Sequence, residues 1–443
     1  MSDTEESPAE TPTAKNSLSR RIVKVLKWTG IGLAGLVAIL LIINAVAVWI
    51  TDSQVERRLA AIRAEGDPTS ILEYRPEEIP PEKNAATYLR RAISDAEALT
   101  KELEPIAEEM YQRKGALTDA EVQTMESAFA AYPKVMPLIE RAAECPGYSV
   151  DFIRDAASTE DLLKSLLERA NEKRLFGRLL YLYRFNLFLA KEKYNAAVRD
   201  SITLLKLCRH FDSDPILTHF LICNACRGAA IQAANDAIQS GDVSKDVLAD
   251  LDKELAKIDM RCLFTNALKD ERAFSIERCQ EFRQMWHLRV FFNRQTLDTL
   301  DGYDWILARA ATLGQAGATA SGPADEEPPS VGVLGRLLIP ALEAAEDAAL
   351  RVETTRRALR ILVALKNRDE PGKPPKPDLS DLGLPESETT DPFSGKPFIV
   401  KKADDGWLIY SVGSNGKDDG GMSFNRDDPV RQDIGLGPTT SAR

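Results

Sequence analysis

An uninterrupted apolar stretch, residues 28–50 (WTGIGLAGLVAILLIINAVAVWI), constrains this chain more than any other feature. No charge falls in the 22 positions 29–50. As a helix rising about 1.5 Å per residue they reach about 33 Å, the thickness of a hydrocarbon core. Trp28 and Trp49 close the two ends, where an amphipathic ring prefers the headgroup level. Arg20, Arg21, Lys24 and Lys27 crowd the N-terminal flank, whereas Asp52, Glu56, Arg57 and Arg58 mix signs on the other. The positive-inside bias therefore predicts a single span with the N-terminus cytoplasmic and the bulk of the chain extracytoplasmic. A cleaved secretory signal is the rival reading, because Ala45, Val46 and Ala47 form an A-x-A pattern near the end of the run. Against it, the run is longer than a signal core and an acidic leader precedes it. Within the span, Gly30, Ala34 and Ala38 recur every four residues and form a small-residue face suited to self-association.

Beyond the span, 44% hydrophobic and 28% charged positions in 443 residues make an ordinary globular composition, long enough for two or three compact units. The net charge of -11 argues against a nucleic-acid partner, since no basic surplus is available to displace counterions from phosphates. The basic run at 351–360 alternates with apolar residues at helical spacing and reads as a solvated face. Six cysteines are too few for a disulfide scaffold. Cys223 and Cys226 form a C-x-x-C inside an apolar run, where small buried packing residues are expected rather than a redox pair.

Residues 1–17, rich in Glu, Ser, Thr and Pro, predict a disordered cytoplasmic tail, and 18–52 the anchor. From 53 to 315 the pattern is helical. Gly66 and Pro68 stop the helix that leaves the span, and the prolines at 76, 80 and 81 demand extended chain. Asn84 is a candidate N-cap, and Thr118 with Glu121 makes a capping box. Pro133 and Pro137 are expected to break the next segment. Residues 179–207 have the form of a helical hairpin of tetratricopeptide type, turning at 191–193, although no 34-residue period repeats. One long helix is expected from 263 to about 293. A linker at 316–332 precedes a helix at 333–366 with an apolar stripe (Ala345, Ala349, Val352, Ala358, Ile361, Leu362, Leu365), and a Pro-rich linker at 367–390 leads to the last unit.

In residues 391–443 strand signals replace the helical period. Two β-rich runs, 398–402 and 407–412, meet through Ala403, Asp404, Asp405 and Gly406, a hairpin signal. A Gly- and Asp-rich loop follows. The order DPFSGKP (391–397), a hairpin, YSVGSNGKDDGG (410–421) and a closing Asp433-Ile434 is similar to the C-terminal loop of the major pseudopilins of type II secretion. That family's pattern resembles DPWGxPY, S-x-G-x-D-G-x-x-G-G and D-I. The resemblance covers about a tenth of the chain and implies a pilin-like module that binds calcium. This chain departs from the family in lacking a prepilin-peptidase site before its apolar helix, in Asn415 where the family has Asp, and in an insertion at 424–431. As a whole the chain resembles a broad group of uncharacterised bacterial single-anchor helical proteins with this tail, carrying NAA (84–86) and ERAF (271–274); the resemblance places it in the cell inner membrane. Calcium takes six to eight oxygens, which a Gly-rich loop can gather. Asp418, Asp419 and Asp433 are the expected side-chain ligands, with Asn415 next.

No zinc pattern links the three histidines, and neither a nucleophile elbow nor a P-loop occurs. Asp270, Glu271, Arg272 and Glu277 carry enough charge for an acid/base constellation, for which a salt-bridge network is the simpler reading. The expected architecture is mainly α: one transmembrane helix, an irregular helical-hairpin domain outside the cytoplasm, and a small β-hairpin module. The expected role is an envelope interaction or scaffold protein with a protein partner. An accessory of a secretion or pilus-like assembly and an enzyme with an unrecognised carboxylate site are the alternatives.

Overall fold

The computed structural model describes residues 15–74, 77–113, 115–150, 159–315, 333–368, 379–403, 406–421 and 433–438. The expected tail as far as residue 14 and the expected linker at 316–332 lie outside them. The protein is mainly α-helical, with one long apolar N-terminal helix and a small antiparallel sheet near the C-terminus.

Helix α1 (Lys15–Ala64) runs unbroken for 50 residues. It is the one helix among the described residues long and apolar enough to cross a membrane. Side chains from 21 to 43 are exposed throughout; partial cover begins at Asn44, Ala47 and Val48. From Val55 the same helix enters the protein, where Val55, Leu59 and Ile62 pack with Ile276 and Leu300. It ends as the sequence requires, with Gly66 at φ +83°.

The central layer follows from amphipathic spacing. Asn84 caps α2 (Ala85–Arg113), its Oδ1 accepting from the Ala86 amide at 3.0 Å. Thr118 and Glu121 form the expected capping box of α3 (Asp119–Ala131). In α4 (Val135–Ala143) the structure differs from expectation at Pro137. That residue stands in the first helical turn, where its missing N–H would have had no intrahelical acceptor, so only Pro133 breaks the chain. Next, α5 (Thr159–Arg178), a π-helical turn (Leu179–Arg184) and α6 (Phe185–Ala190) form one rod. A turn at 191–193 reverses it into α7 (Tyr194–Phe211), giving the expected helical hairpin. α7 packs on α8 (Leu217–Ser240), and α9 (Lys245–Leu255) follows the turn at Gly241.

The expected long helix at 263–293 is two helices, α10 (Met260–Arg283) and α11 (Arg289–Ala310), which pack against each other. Its periodicity reads through the turn because 284–288 holds neither Gly nor Pro. Long-range pairing decides the reversal: Asp52 of α1 takes Arg283 from the end of α10 and Arg289 and Asn293 from the start of α11.

Helix α12 (Val333–Arg368) is buried against α8, α9, α10 and α11, and all seven residues of its expected stripe are core. The run at 351–360 is not the solvated face expected. Arg356, Arg357 and Arg360 are buried, and they pair with Glu353, Glu388 and Asp252. α12 is also covered by a segment that periodicity cannot see: a 3-10 turn (Leu379–Leu382) and the short α13 (Glu386–Thr389). The chain closes in a sheet of order β1-β2-β3, with β1 (Ile399–Ala403), β2 (Gly406–Ser411) and β3 (Ile434–Leu436). The hairpin was legible in advance; the third strand, opened by Ile434, was not.

Candidate functional site

The C-terminal loop is built by the sheet. Antiparallel pairing sets Tyr410 opposite Ile399 on one side and Gly435 on the other. A Cβ at 435 would lie 2.2 Å from the Ile409 carbonyl, so only Gly lets β3 approach. The module is pinned to α8 by Gln239, which donates to the Trp407 carbonyl at 2.7 Å and accepts from its amide at 3.1 Å. Positive φ at Gly413, Gly416, Gly420 and Gly421 folds the loop back on itself.

Each residue expected to hold calcium has a defined place. Asp418 accepts from the Tyr410 hydroxyl at 2.8 Å and the Gly420 amide at 3.0 Å, bonds that hold its carboxyl below the usual range. Asn415 donates to Asp419 at 3.0 Å and accepts from the Lys417 amide. Asp433 is fully buried. One carboxylate oxygen accepts from the Gly421 amide at 2.7 Å, while the other, Oδ1, is buried without a hydrogen-bond partner among the described residues. Burial, and then the carboxylates of Asp419 and Asp418, push Asp433 up. The donors are hard oxygens and one of them is orphaned, which suits calcium chemistry. In this arrangement, however, the carboxylates are not drawn into one cage. Among the described residues no group of three or more His, Cys, Asp or Glu side chains is assembled to hold a metal. Asp427 and Asp428 lie outside the described residues.

The acidic set on α10 is divided by the fold. Arg272 and Lys269 pair with Asp67, each at 2.7 Å, and Glu277 accepts from the Ser70 hydroxyl. Glu271 accepts from the Leu217 amide at 2.8 Å and so caps α8, beside Ile216 at φ +74°, a conformation a β-branched residue adopts only under constraint. Asp270 instead lines a cleft of about 370 Å³ between α10 and the turn after α1, with Arg63, Glu73 and Tyr74. Burial, then Glu271 and Asp67, push it up to about 7, with Lys269 opposing. It is a carboxyl group able to give or take a proton near neutrality.

Sequence reasoning missed a second charged centre. Lys173 is buried and directs its three N–H bonds to the Phe211 carbonyl at 3.1 Å, Asp214 at 2.9 Å and His219 Nδ1 at 3.0 Å. Arg169 also pairs with Asp214, and Tyr148 reaches the same carboxylate. His219 Nε2 donates to the Leu166 carbonyl at 2.6 Å, so the ring is the neutral tautomer with Nδ1 accepting. Burial, then Lys173, push His219 down to about 4. No spacing announces this cluster, because Arg169 and Asp214 are 45 positions apart and meet only when α5 lies across the α7–α8 turn. Asp214 is shared between the two cations, and the three buried charged side chains tie α5 to the α7–α8 turn.

A second concavity, about 410 Å³, opens between α4, the α6–α7 hairpin and α9. Its walls carry both signs: Arg184 bridges Glu140 at 2.7 Å and Lys206 bridges Glu144 at 2.6 Å. Beneath them Asp200 is buried and pushed up to about 7 by burial, with Arg184 opposing. The C-x-x-C is also placed. Cys223 is buried, Cys226 half-buried, and both thiols are free; a Cβ at Gly177 would lie 2.8 Å from Cys226 Sγ, so these small side chains let α5 and α8 approach closely. Compared with protein-family models, curated proteins and solved structures, the chain matches none.

Proposed function

We propose that this protein is a membrane-tethered scaffold of the bacterial envelope, with its N-terminus in the cytoplasm and its helical domain on the far side of the inner membrane. The observation that carries the reading is the continuity of α1. An exposed apolar helix passes without a turn into the buried seam with α10 and α11, so the domain is held at a set height and orientation rather than on a flexible stalk. The mixed-charge groove along the α6–α7 hairpin, a tetratricopeptide-like unit, is the surface we assign to a partner protein's peptide segment. A photoreactive side chain at Thr203, in that groove, tests it in cells: a discrete adduct that disappears with Asp200→Lys is expected, and no adduct beyond that of a probe at exposed Tyr111 refutes it.

Calcium at the C-terminal loop belongs to the same proposal. Asp433, Asp419, Asp418 and Asn415 would supply the oxygens, and the ion would neutralise the repulsion among the three carboxylates while fastening the loop to the sheet. Thermal melting of the full chain in millimolar calcium should rise, and the rise should vanish with Asp433→Asn. An unchanged melt removes the ion from the proposal and leaves the scaffold.

One observation favours a second reading, in which the Asp270 cleft performs proton transfer on a small molecule. Infrared titration of the carboxyl band, as a difference against Asp270→Asn, should show a midpoint near neutrality; a midpoint in the ordinary aspartate range ends this reading.

A further inference from the structure

Outside α1, eleven large apolar side chains are exposed among the described residues, and five of them fall within ten positions: Phe282, Met285, Trp286, Leu288 and Phe291. Trp286 is 64% exposed and Phe291 52%, comparable with Trp49 of the apolar run at 71%. Three rings cluster, Phe282 stacking on Phe292 at 5.2 Å and Phe291 meeting Phe292 edge-on at 5.3 Å, and Trp286 stands in the turn that joins them. A patch of this kind marks an interaction surface.

Its position says with what. The pairings along α1 fix the direction of its neighbours. Asp67 meets Arg272 and Asp52 meets Arg283, so α10 runs antiparallel to α1. Asp52 meets Arg289 and Arg58 meets Asp301 and Asp304, so α11 runs parallel to it. The turn between α10 and α11 therefore lies at the end of the domain from which the apolar run departs. Asn293 bonds Thr51 at 2.9 Å, one residue beyond the last apolar position, and the turn projects past that level. The arginines that flank the turn, Arg283 and Arg289, pair with Asp52 and Glu56 of α1, so their charge is spent on holding the turn against that helix.

We infer that the α10–α11 turn is a second membrane contact, inserting Trp286, Phe291 and their neighbours into the interface of the bilayer that α1 crosses. The inference rests on α1 being a span. Aromatic rings with a polar edge settle at headgroup depth, and Trp286 would do on the domain what Trp49 does on the helix. Two contacts separated sideways fix rotation about the α1 axis, which a single helix cannot do.

The test reconstitutes the full chain in phosphatidylcholine vesicles containing lipid brominated on the upper acyl chain, which quenches indole by contact. A Trp28→Phe/Trp49→Phe variant leaves Trp286 as the interfacial reporter, and Trp28→Phe/Trp286→Phe leaves Trp49. Emission should fall in both, and in the first variant the bromine sensitivity should be lost when Trp286→Phe is added. Quenching of Trp49 with none of Trp286 overturns the inference and leaves the span intact. Quenching of neither overturns the span as well. If Trp286 ignores bromine but is shielded from aqueous iodide increasingly with protein concentration, a second copy covers the patch and the inference falls. Helical circular dichroism of each variant, with all replacements at exposed positions, confirms that the fold is retained.

Discussion

Replacing Lys173 by Met, Asp214 by Asn, and both together dissects the buried cluster that joins α5 to the α7–α8 turn. Asp214 is buried beneath Arg169 and Lys173, and burial alone would raise its pKa; the two cations and His219 hold it below the usual range instead. Asp214→Asn leaves both cations without their counter-charge, a loss of about 3–5 kcal/mol. Lys173→Met strands the Phe211 carbonyl and His219 Nδ1 and takes one of its two cations from the carboxylate, a loss of similar size. Because each single variant breaks the same pair, the double variant should lose about 1–3 kcal/mol less than their sum. His219 adds a pH signature. Its folded pKa of about 4 lies below its ordinary value of 6.5, so its contribution is complete above pH 6.5 and is lost as pH falls toward 4. That is roughly 3 kcal/mol across the window. Lys173→Met removes the second-largest cause of the depression and should flatten the slope. Urea unfolding of the full chain in detergent, followed by circular dichroism from pH 4 to 8, measures all of these. Single variants within about 0.5 kcal/mol of the parent, or strict additivity, would refute the reading of a closed, mutually dependent cluster.

Asp270→Asn should be indistinguishable from the parent near pH 4 and more stable above pH 7, because a carboxyl raised from 3.8 to about 7 loses stability as pH rises through that interval. The gain is at most about 4 kcal/mol, read by the same unfolding curves. Leu59→Ala empties a site 1% exposed between α1, α10 and α11 and should cost about 2–5 kcal/mol. Hydrogen exchange would rise in residues 51–64 and 276–300 while α7 and α8 stay protected. Gly435→Ala drives a methyl into the β2 backbone and should release β3, seen as faster exchange of the amides of 409–411 with the helical core unchanged.

What could be read in advance was whatever depends on neighbours in sequence. An apolar run is a helix of membrane-spanning length wherever it sits, because backbone satisfaction in hydrocarbon is local. Caps at Asn84 and Thr118, the stop at Gly66, the α6–α7 hairpin and the β1–β2 hairpin are set within a few residues, and each is where its local chemistry requires. The same locality failed at 284–288, where an unbroken helical period conceals a reversal made by Asp52, and at 356–360, where arginines typical of a solvated face are buried because a later segment brings Glu388 over them. Spacing likewise named Asp433 but not its orphaned oxygen, and it could not name Lys173, Asp214 and His219 as one cluster. Charges find partners by desolvation and distance, which are properties of the packed chain. The sequence alone thus determined that a long apolar helix precedes a helical domain and a β-module. Only the tertiary structure decided that this helix continues unbroken into the core, and that five exposed apolar side chains lie beside the point where its apolar run leaves the domain.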